Sequence, residues 1–245
     1  MLVVAALAVL GACSDDAGQA APEVTITAVP TTSVSTTTTT TSAPIASAPT
    51  TTTEPWMPTF DAATRPVTED ELGGSWSARC PVPAGDLRRV AILHWNDAGE
   101  VQSGMLIVHS DHVEDLIVVF AQLFAAEFRI HEMTPVAAFD ADDNASMAAN
   151  NTSAFNCREI DGRPGVWSEH SYGGAVDINP LVNPWVRGSQ VDPPQGAAYA
   201  DREVDAVGII RAGDVVTQAF ADIGWQWGGD WASSKDYQHF SHNGR

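Results

Sequence analysis

Residues 14–58 most constrain what this chain can fold into, because threonine, proline, alanine and serine make up most of them. A segment of this composition cannot bury enough apolar surface to offset the entropy lost on ordering. Residues 1–12 form a separate apolar run. We therefore expect a leader at 1–12, a tether at 13–58 and one folded domain at 59–245, which is long enough to build its own core.

The N-terminal run, MLVVAALAVLGAC, is too short to cross a bilayer as a helix and is typical of a secretory signal. Its end, Leu10-Gly11-Ala12-Cys13, resembles the bacterial lipobox. That resemblance implies cleavage before Cys13 and attachment of lipid to its thiol. The alternative is an ordinary secretory signal in which Cys13 has no special role. We expect a bacterial, extracytoplasmic protein, lipid-anchored in the outer leaflet of the cell membrane or secreted.

The charge balance excludes one class of partner. The formal net charge is -19, and no cluster of lysine and arginine interrupts it. A polyanion repels nucleic acid, so we predict no nucleic-acid binding. We expect the domain to be a monomer.

Two further cysteines, Cys80 and Cys157, lie in the folded part. In an oxidising compartment they could form one disulfide. The alternative is two unpaired, buried thiols.

The periodicity of apolar residues predicts an α+β fold, with helices packed on a small, mostly antiparallel sheet. Helical spacing and start or stop signals indicate two helices. The predicted helices are 110–128 and 212–224, and the predicted strands are 87–95, 101–110, 129–136, 175–179 and two more within 225–241. Residues 140–159 are polar and show no clear period.

The segment SEHSYGGAVDINP, residues 168–180, holds a histidine and an aspartate around a Gly-Gly turn. His170 and Asp177 are both competent zinc ligands, and the glycines argue against a helix between them. His239, in SKDYQHFSH, supplies a third ligand. Three protein ligands leave one position open for water, as in catalytic zinc sites. On spacing alone, all three could equally be turn or surface residues.

Asp236, three residues before His239, is placed to take a proton from that water and pass it to a leaving amine. In a regular strand these two side chains would point to opposite faces. We therefore predict a turn or bulge at Tyr237-Gln238.

Two motifs resemble one known family. SEHSYGGAVDINP matches the SxHxxGxAxD pattern of the D-Ala-D-Ala carboxypeptidase/dipeptidase zinc peptidases, the VanX/VanY-like group. WQWGGDWASSKDYQHF resembles the second motif of that family and looks most like its L-alanyl-D-glutamate endopeptidase branch, which includes phage endolysins and the CwlK type. The resemblance covers about residues 140–242.

The resemblance implies a role for each matching residue. It makes Asp236 the general base and gives Ser168 a supporting hydrogen bond. It implies a zinc ion in a cleft on the sheet, held by His170, Asp177 and His239.

The family also uses an arginine upstream of the first motif to polarise the substrate carbonyl. Arg158 is the candidate here, although its surroundings, SAFNCRE, depart from the family segment. The alternative for Arg158 is a surface salt bridge.

The expected function is therefore zinc-dependent (Zn²⁺) hydrolysis of peptidoglycan stem peptides, as an L-Ala-D-Glu endopeptidase. One alternative is a D-alanyl-D-alanine carboxypeptidase of the same family. Another is a non-catalytic, zinc-containing lipoprotein that binds the cell wall. Loss of a ligand or of the base would favour the last, but all are present.

Overall fold

A computed structural model describes residues 58–245. The predicted leader, Cys13 and the tether up to residue 57 lie outside the described residues. The helices are α1 (Glu69–Leu72), α2 (Val113–Ala125), α3 (Asp143–Ala148) and α4 (Val215–Asp222). The strands are β1 (Ala62–Pro66), β2 (Leu87–Trp95), β3 (Val101–His109), β4 (Glu132–Met133), β5 (Asn151–Thr152), β6 (Ala175–Asp177), β7 (Trp185–Arg187), β8 (Gln190–Asp192), β9 (Gln226–Trp227), β10 (Lys235–Asp236) and β11 (His239–Ser241). None of the helices in residues 58–245 is long and apolar enough to span a membrane.

The mixture of helices and antiparallel strands confirms the α+β class. The strands do not form the one small sheet that we predicted. They form three antiparallel sheets, in the orders β1-β2-β3, β6-β11-β9 and β10-β7-β8, and one parallel pair, β4-β5. Outside the first sheet, all eight strands of residues 58–245 have only two or three residues, and consecutive ones often belong to different sheets.

The main core forms where α2 packs on β2 and on α4. Residues at helical spacing on α2, including Leu116, Phe120 and Leu123, are almost completely buried. Strand β6 brings Val176 into the same core, and β11 brings Phe240. Both strands that carry predicted metal ligands are therefore anchored by buried side chains next to those ligands.

Two stretches differ from their sequence predictions. The predicted strand at 129–136 shortens to Glu132–Met133, because its only continuous pairing is with the two-residue strand β5 and Arg129 forms just an isolated bridge with Trp95. The polar stretch at 140–159 contains α3, whose first turn is capped by the Asp142 side chain accepting a hydrogen bond from the main-chain N–H of Ala145. Six residues are too few to show a helical period.

Cys80 and Cys157 form a disulfide with a Cα–Cα distance of 5.9 Å, which decides between the two alternatives above. Cys157 packs against a second apolar cluster that includes Leu87 and Phe155. The bridge therefore fixes the main chain immediately before Arg158.

Replacing both Cys80 and Cys157 with alanine should lower the free energy of unfolding by about 2–5 kcal/mol, because the bridge closes a long loop in the unfolded chain. The bridged residues are 77 positions apart. Urea denaturation would measure the change. Reduced wild-type protein is the control and should match the variant, whereas a variant as stable as oxidised protein would contradict the prediction.

Candidate active site

A short turn of 3₁₀ helix, Glu169–Tyr172, carries His170. The glycines argued against a helix between His170 and Asp177, and the helical structure there is limited to this one turn, which Gly173 ends. Ser168 caps the turn, and its Oγ accepts a hydrogen bond from the His170 main-chain N–H at 3.4 Å. Gly173 has φ +66°, and a Cβ there would lie 2.5 Å from the His109 nitrogen, so only glycine fits.

Asp177 and His239 lie directly opposite each other on the antiparallel strands β6 and β11. Opposite residues in such a pair project from the same face. The Asp177 carboxylate lies 3.0 Å from His239 Nδ1 and 3.2 Å from His170 Nε2. The two imidazole nitrogens are 3.3 Å apart. All three residues are buried, and one potential ligand atom from each lies within 4.8 Å of the others.

In His170 and His239, the outer ring nitrogen, which points away from Asp177, makes a hydrogen bond that fixes the tautomer of the ring. His170 Nδ1 is bonded to the main-chain oxygen of Ala154, and His239 Nε2 to the main-chain oxygen of Arg245. A carbonyl oxygen only accepts, so both outer nitrogens carry a hydrogen. In the neutral rings, His170 Nε2 and His239 Nδ1 therefore present lone pairs to Asp177. Two imidazole lone pairs and a carboxylate at one point fit a divalent metal ion.

The buried carboxylate of Asp177 requires a compensating positive charge, which a proton or a metal ion can supply. Burial raises the pKa of Asp177, but the attraction and hydrogen bonds of His170 and His239 outweigh it and hold the pKa well below its usual range. Burial lowers the pKa of His239, but Asp177 outweighs it and raises the pKa to about 9. The group thus retains a proton when no metal is bound. A metal ion would displace that proton, because ligation requires neutral imidazole.

Asp236 reaches the same cavity because the chain bends at Tyr237-Gln238, as predicted. The bend separates β10 from β11, which belong to different sheets. One carboxylate oxygen, Oδ1, is buried with no hydrogen-bond partner. Burial raises the pKa of Asp236 to about 7, and the charge of Asp177 adds to this against the opposing effect of His239. A carboxyl group with a pKa near neutrality suits proton transfer at physiological pH.

Gly228 sets the position of Asp236. A Cβ at residue 228 would lie 2.7 Å from both the Cβ and the main-chain oxygen of Asp236. Gly228→Ala should therefore displace Asp236 and lower the free energy of unfolding by about 1–3 kcal/mol, which is typical of overpacking. Gly85→Ala is the matched control, since a Cβ at Gly85 meets nothing within 4 Å. Urea denaturation of both variants tests this, and equal stability would contradict it.

Arg158 does form a salt bridge, as its alternative interpretation proposed. The salt bridge lies in the wall of the site cavity. Its Nη2 atom lies 2.7 Å from Asp143 Oδ2, and its Nε is buried with no hydrogen-bond partner. Burial lowers the pKa of Arg158, yet the attraction of Asp143 and Asp177 outweighs it and raises the pKa above the ordinary value. The Arg158 main-chain N–H donates to Ser171 Oγ at 2.9 Å, which ties it to the His170 turn.

One cavity of about 1330 Å³ joins these groups. Its wall contains the three candidate ligands, Asp236 and Arg158. Sequence reasoning missed Gln238, which is buried and whose Oε1 has no hydrogen-bond partner, and Asp143, which holds Arg158. The Trp231 ring lies 5.5 Å from the His239 ring in the cavity wall. The only sequence signal for Gln238 was its place between the predicted base and the last ligand.

Three buried ligands beside a carboxyl group with a raised pKa and an arginine define the kind of site that hydrolases with a single metal ion use. Residues 161–242 match a family model described as D-alanyl-D-alanine carboxypeptidase. The matched segment contains the three candidate ligands and Asp236, whereas Arg158 lies before it. No curated protein and no solved structure gave a significant match.

The family match confirms the resemblance that the two motifs indicated. Residues 161–242, which carry the three candidate ligands and Asp236, match the model of the VanX/VanY-like zinc peptidase family. This family points to a metallopeptidase that acts on peptidoglycan and takes a peptide substrate.

Proposed function

We propose that the protein is a zinc-dependent endopeptidase that cleaves the L-Ala-D-Glu bond of peptidoglycan stem peptides. The observation that carries this proposal is the convergence of two imidazole lone pairs and the Asp177 carboxylate beside Asp236 in one cavity. In this proposal zinc lies in the cleft between these residues, held by His170, Asp177 and His239. A neutral nitrogen from each histidine and one carboxylate oxygen are the donors that zinc prefers.

Bound zinc would polarise the scissile carbonyl and lower the pKa of the attacking water. Asp236, with its free oxygen and near-neutral pKa, takes the proton from that water and delivers it to the departing amine. Arg158 faces the same cavity as a fixed cation and stabilises the negative charge that develops on the carbonyl oxygen.

Arg158 and Gln238 are complementary to a peptide bond. Arg158 Nε is a buried donor without an acceptor, and Gln238 Oε1 is a buried acceptor without a donor. A buried polar atom without a partner is costly, which favours a ligand that supplies the missing bond. A substrate peptide would supply a carbonyl oxygen to the first and an amide N–H to the second once these side chains turn toward the cavity, because both atoms are shielded from solvent in this structure.

Gln238→Met should raise KM about 5–20-fold, because the shape is kept and one hydrogen bond of about 1–2 kcal/mol to substrate is lost. It should also change kcat, since the Gln238 side chain hydrogen-bonds Asp236 and lowers the pKa of that carboxyl group. Steady-state kinetics would separate the two constants. Gln218→Met, on the exposed face of α4, is the control. A Gln238→Met enzyme with wild-type KM would show that this amide does not contact the substrate.

The D-alanyl-D-alanine carboxypeptidase activity named by the matched family model is the second candidate. The presence of aspartate at 236 and the WGGDW segment favour the endopeptidase, by resemblance to that branch. Wall binding without catalysis is a third candidate, and the intact ligand set and base argue against it.

The deciding experiment incubates the full-length chain with purified peptidoglycan, with zinc and after chelation, and identifies the products by mass spectrometry. New termini between L-Ala and D-Glu that require zinc would support the endopeptidase. Release of single D-Ala residues would show the carboxypeptidase instead. Binding of one zinc with no products would favour the wall-binding alternative.

We further propose that Cys13 carries the lipid anchor and that residues 13–58 hold a monomeric domain above the outer face of a bacterial membrane. The lipobox-like sequence and the tether composition support this. Mass spectrometry of the N-terminal peptide would test the anchor, since an unmodified Cys13 or a different first residue would contradict it.

A further inference from the structure

A second cavity of about 730 Å³ adjoins the catalytic one. The two cavities share Val166, Trp167, Glu169 and Arg245 in their walls. The proposed mechanism uses none of these four side chains. The two cavities therefore lie side by side along this shared wall.

The wall of the second cavity is rich in rings and exposed apolar surface. It contains Trp167, Tyr172 and a group of three histidines, whose members are His109, His112 and His242. Four large apolar side chains are markedly exposed in residues 58–245, and two of them, Val166 at 43% and Tyr172 at 38%, line this cavity. Exposed apolar surface beside a functional cavity indicates a binding surface.

The histidine group does not fit a metal ion. Within residues 58–245, only His170, Asp177 and His239 bring three potential ligand atoms within 4.8 Å of one another. The Asp111 main-chain N–H donates to His109 Nδ1, so in the neutral ring His109 Nε2 carries the hydrogen and is not a ligand.

The cavity does not fit an anion either. Burial, followed by the positive charge that His242 and His109 would carry, lowers the pKa of His112. The Asp111 and Glu169 carboxylates outnumber the one arginine in the same wall, Arg245, and would repel an anion. A neutral ligand with both apolar faces and hydroxyl groups fits best, because rings pack on the former and carboxylates accept hydrogen bonds from the latter.

We propose that the second cavity is a saccharide-binding subsite, which holds a sugar of the glycan strand while the attached stem peptide occupies the catalytic cavity. This inference rests on the proposed function, because only a glycopeptide substrate joins a neutral sugar to a peptide in this way. The shared wall places the sugar next to the first residues of the peptide. Sugar binding would then recruit the peptide to the metal centre.

Isothermal titration of the zinc-loaded, full-length Asp236→Asn variant tests the subsite without turnover. The probes are a muramyl tripeptide and the N-acetyl tripeptide of the same sequence. We expect the muramyl compound to bind about 10-fold more tightly, equivalent to about 1.4 kcal/mol. Tyr172→Ala and Val166→Ala should each reduce that ratio to about 2-fold or less, whereas Val207→Ala, at a valine that is 54% exposed and lies outside the cavity wall, should leave it unchanged.

Equal affinity for the two probes would overturn the subsite and leave the proposed function standing. A ratio that falls equally in the Val166 and Val207 variants would also overturn it. Binding of neither probe, together with no cleavage of peptidoglycan by the wild-type enzyme, would overturn both. Binding of a second equivalent of zinc that is lost in His112→Ala would show that the histidines form a metal site instead.

Discussion

The Asp236→Asn variant should hydrolyse peptidoglycan about 10²–10⁴-fold more slowly than wild type, which is the usual contribution of general acid-base catalysis. Asparagine keeps the shape of the side chain but cannot take a proton from water. Asp236 Oδ1 is buried beside the metal ligands and makes no hydrogen bond, although a hydrogen bond from Gln238 to the carboxyl group lowers its pKa. The loss should appear in kcat and in kcat/KM alike, because the proton transfer belongs to the chemical step.

Two measurements make this result specific to proton transfer. The variant should still bind one equivalent of zinc, because the three proposed ligands are intact. Asp230→Asn, at an exposed aspartate of the same segment, should retain full activity. An Asp236→Asn enzyme that keeps more than a tenth of wild-type kcat would assign the base to another residue.

The elements that could be predicted from the sequence are those long enough to show a regular pattern of apolar side chains. Strands β2 and β3 span nine residues each, and α2 spans thirteen, so their apolar periods are visible without tertiary information. The candidate ligands were predictable for a different reason. His170, Asp177 and His239 are embedded in two distinctive motifs, and the bend at Tyr237-Gln238 follows from requiring Asp236 and His239 to face one point.

The remaining features depend on contacts between distant parts of the chain. The hydrogen bonds that fix the histidine tautomers go to Ala154 and Arg245, and a main-chain oxygen leaves no trace in residue type. The β7-β8 hairpin has strands of three residues, which show no period. The partnership of Arg158 with Asp143 arises only because α3 places Asp143 beside the site. These are the parts of the site that sequence reasoning did not supply.

The two kinds of information meet at Asp177. The motif predicts a metal ligand there, and the structure adds that this buried carboxylate lies between two imidazoles whose outer hydrogens are already committed. A buried charge is tolerated only when it is compensated. The same arrangement that would bind zinc therefore also makes the metal-free protein depend on a proton held between Asp177 and His239.

The His239→Ala variant should bind zinc more than about 100-fold more weakly than wild type. Removing a residue that only hydrogen-bonds a ligand typically costs about 10–100-fold, and this variant removes a ligand itself. It should also destabilise the metal-free protein by about 3–5 kcal/mol, since breaking a buried ion pair leaves the Asp177 charge without its partner. Competition with a chelator measures the affinity, and urea denaturation in the presence of chelator measures the stability.

His131→Ala is the matched control, because His131 is half-exposed, pairs with Asp97 and lies outside the cavity wall. Zinc affinity equal in the two variants would remove His239 from the ligand set. Loss of affinity without loss of metal-free stability would mean instead that Asp177 is protonated once its partner is gone.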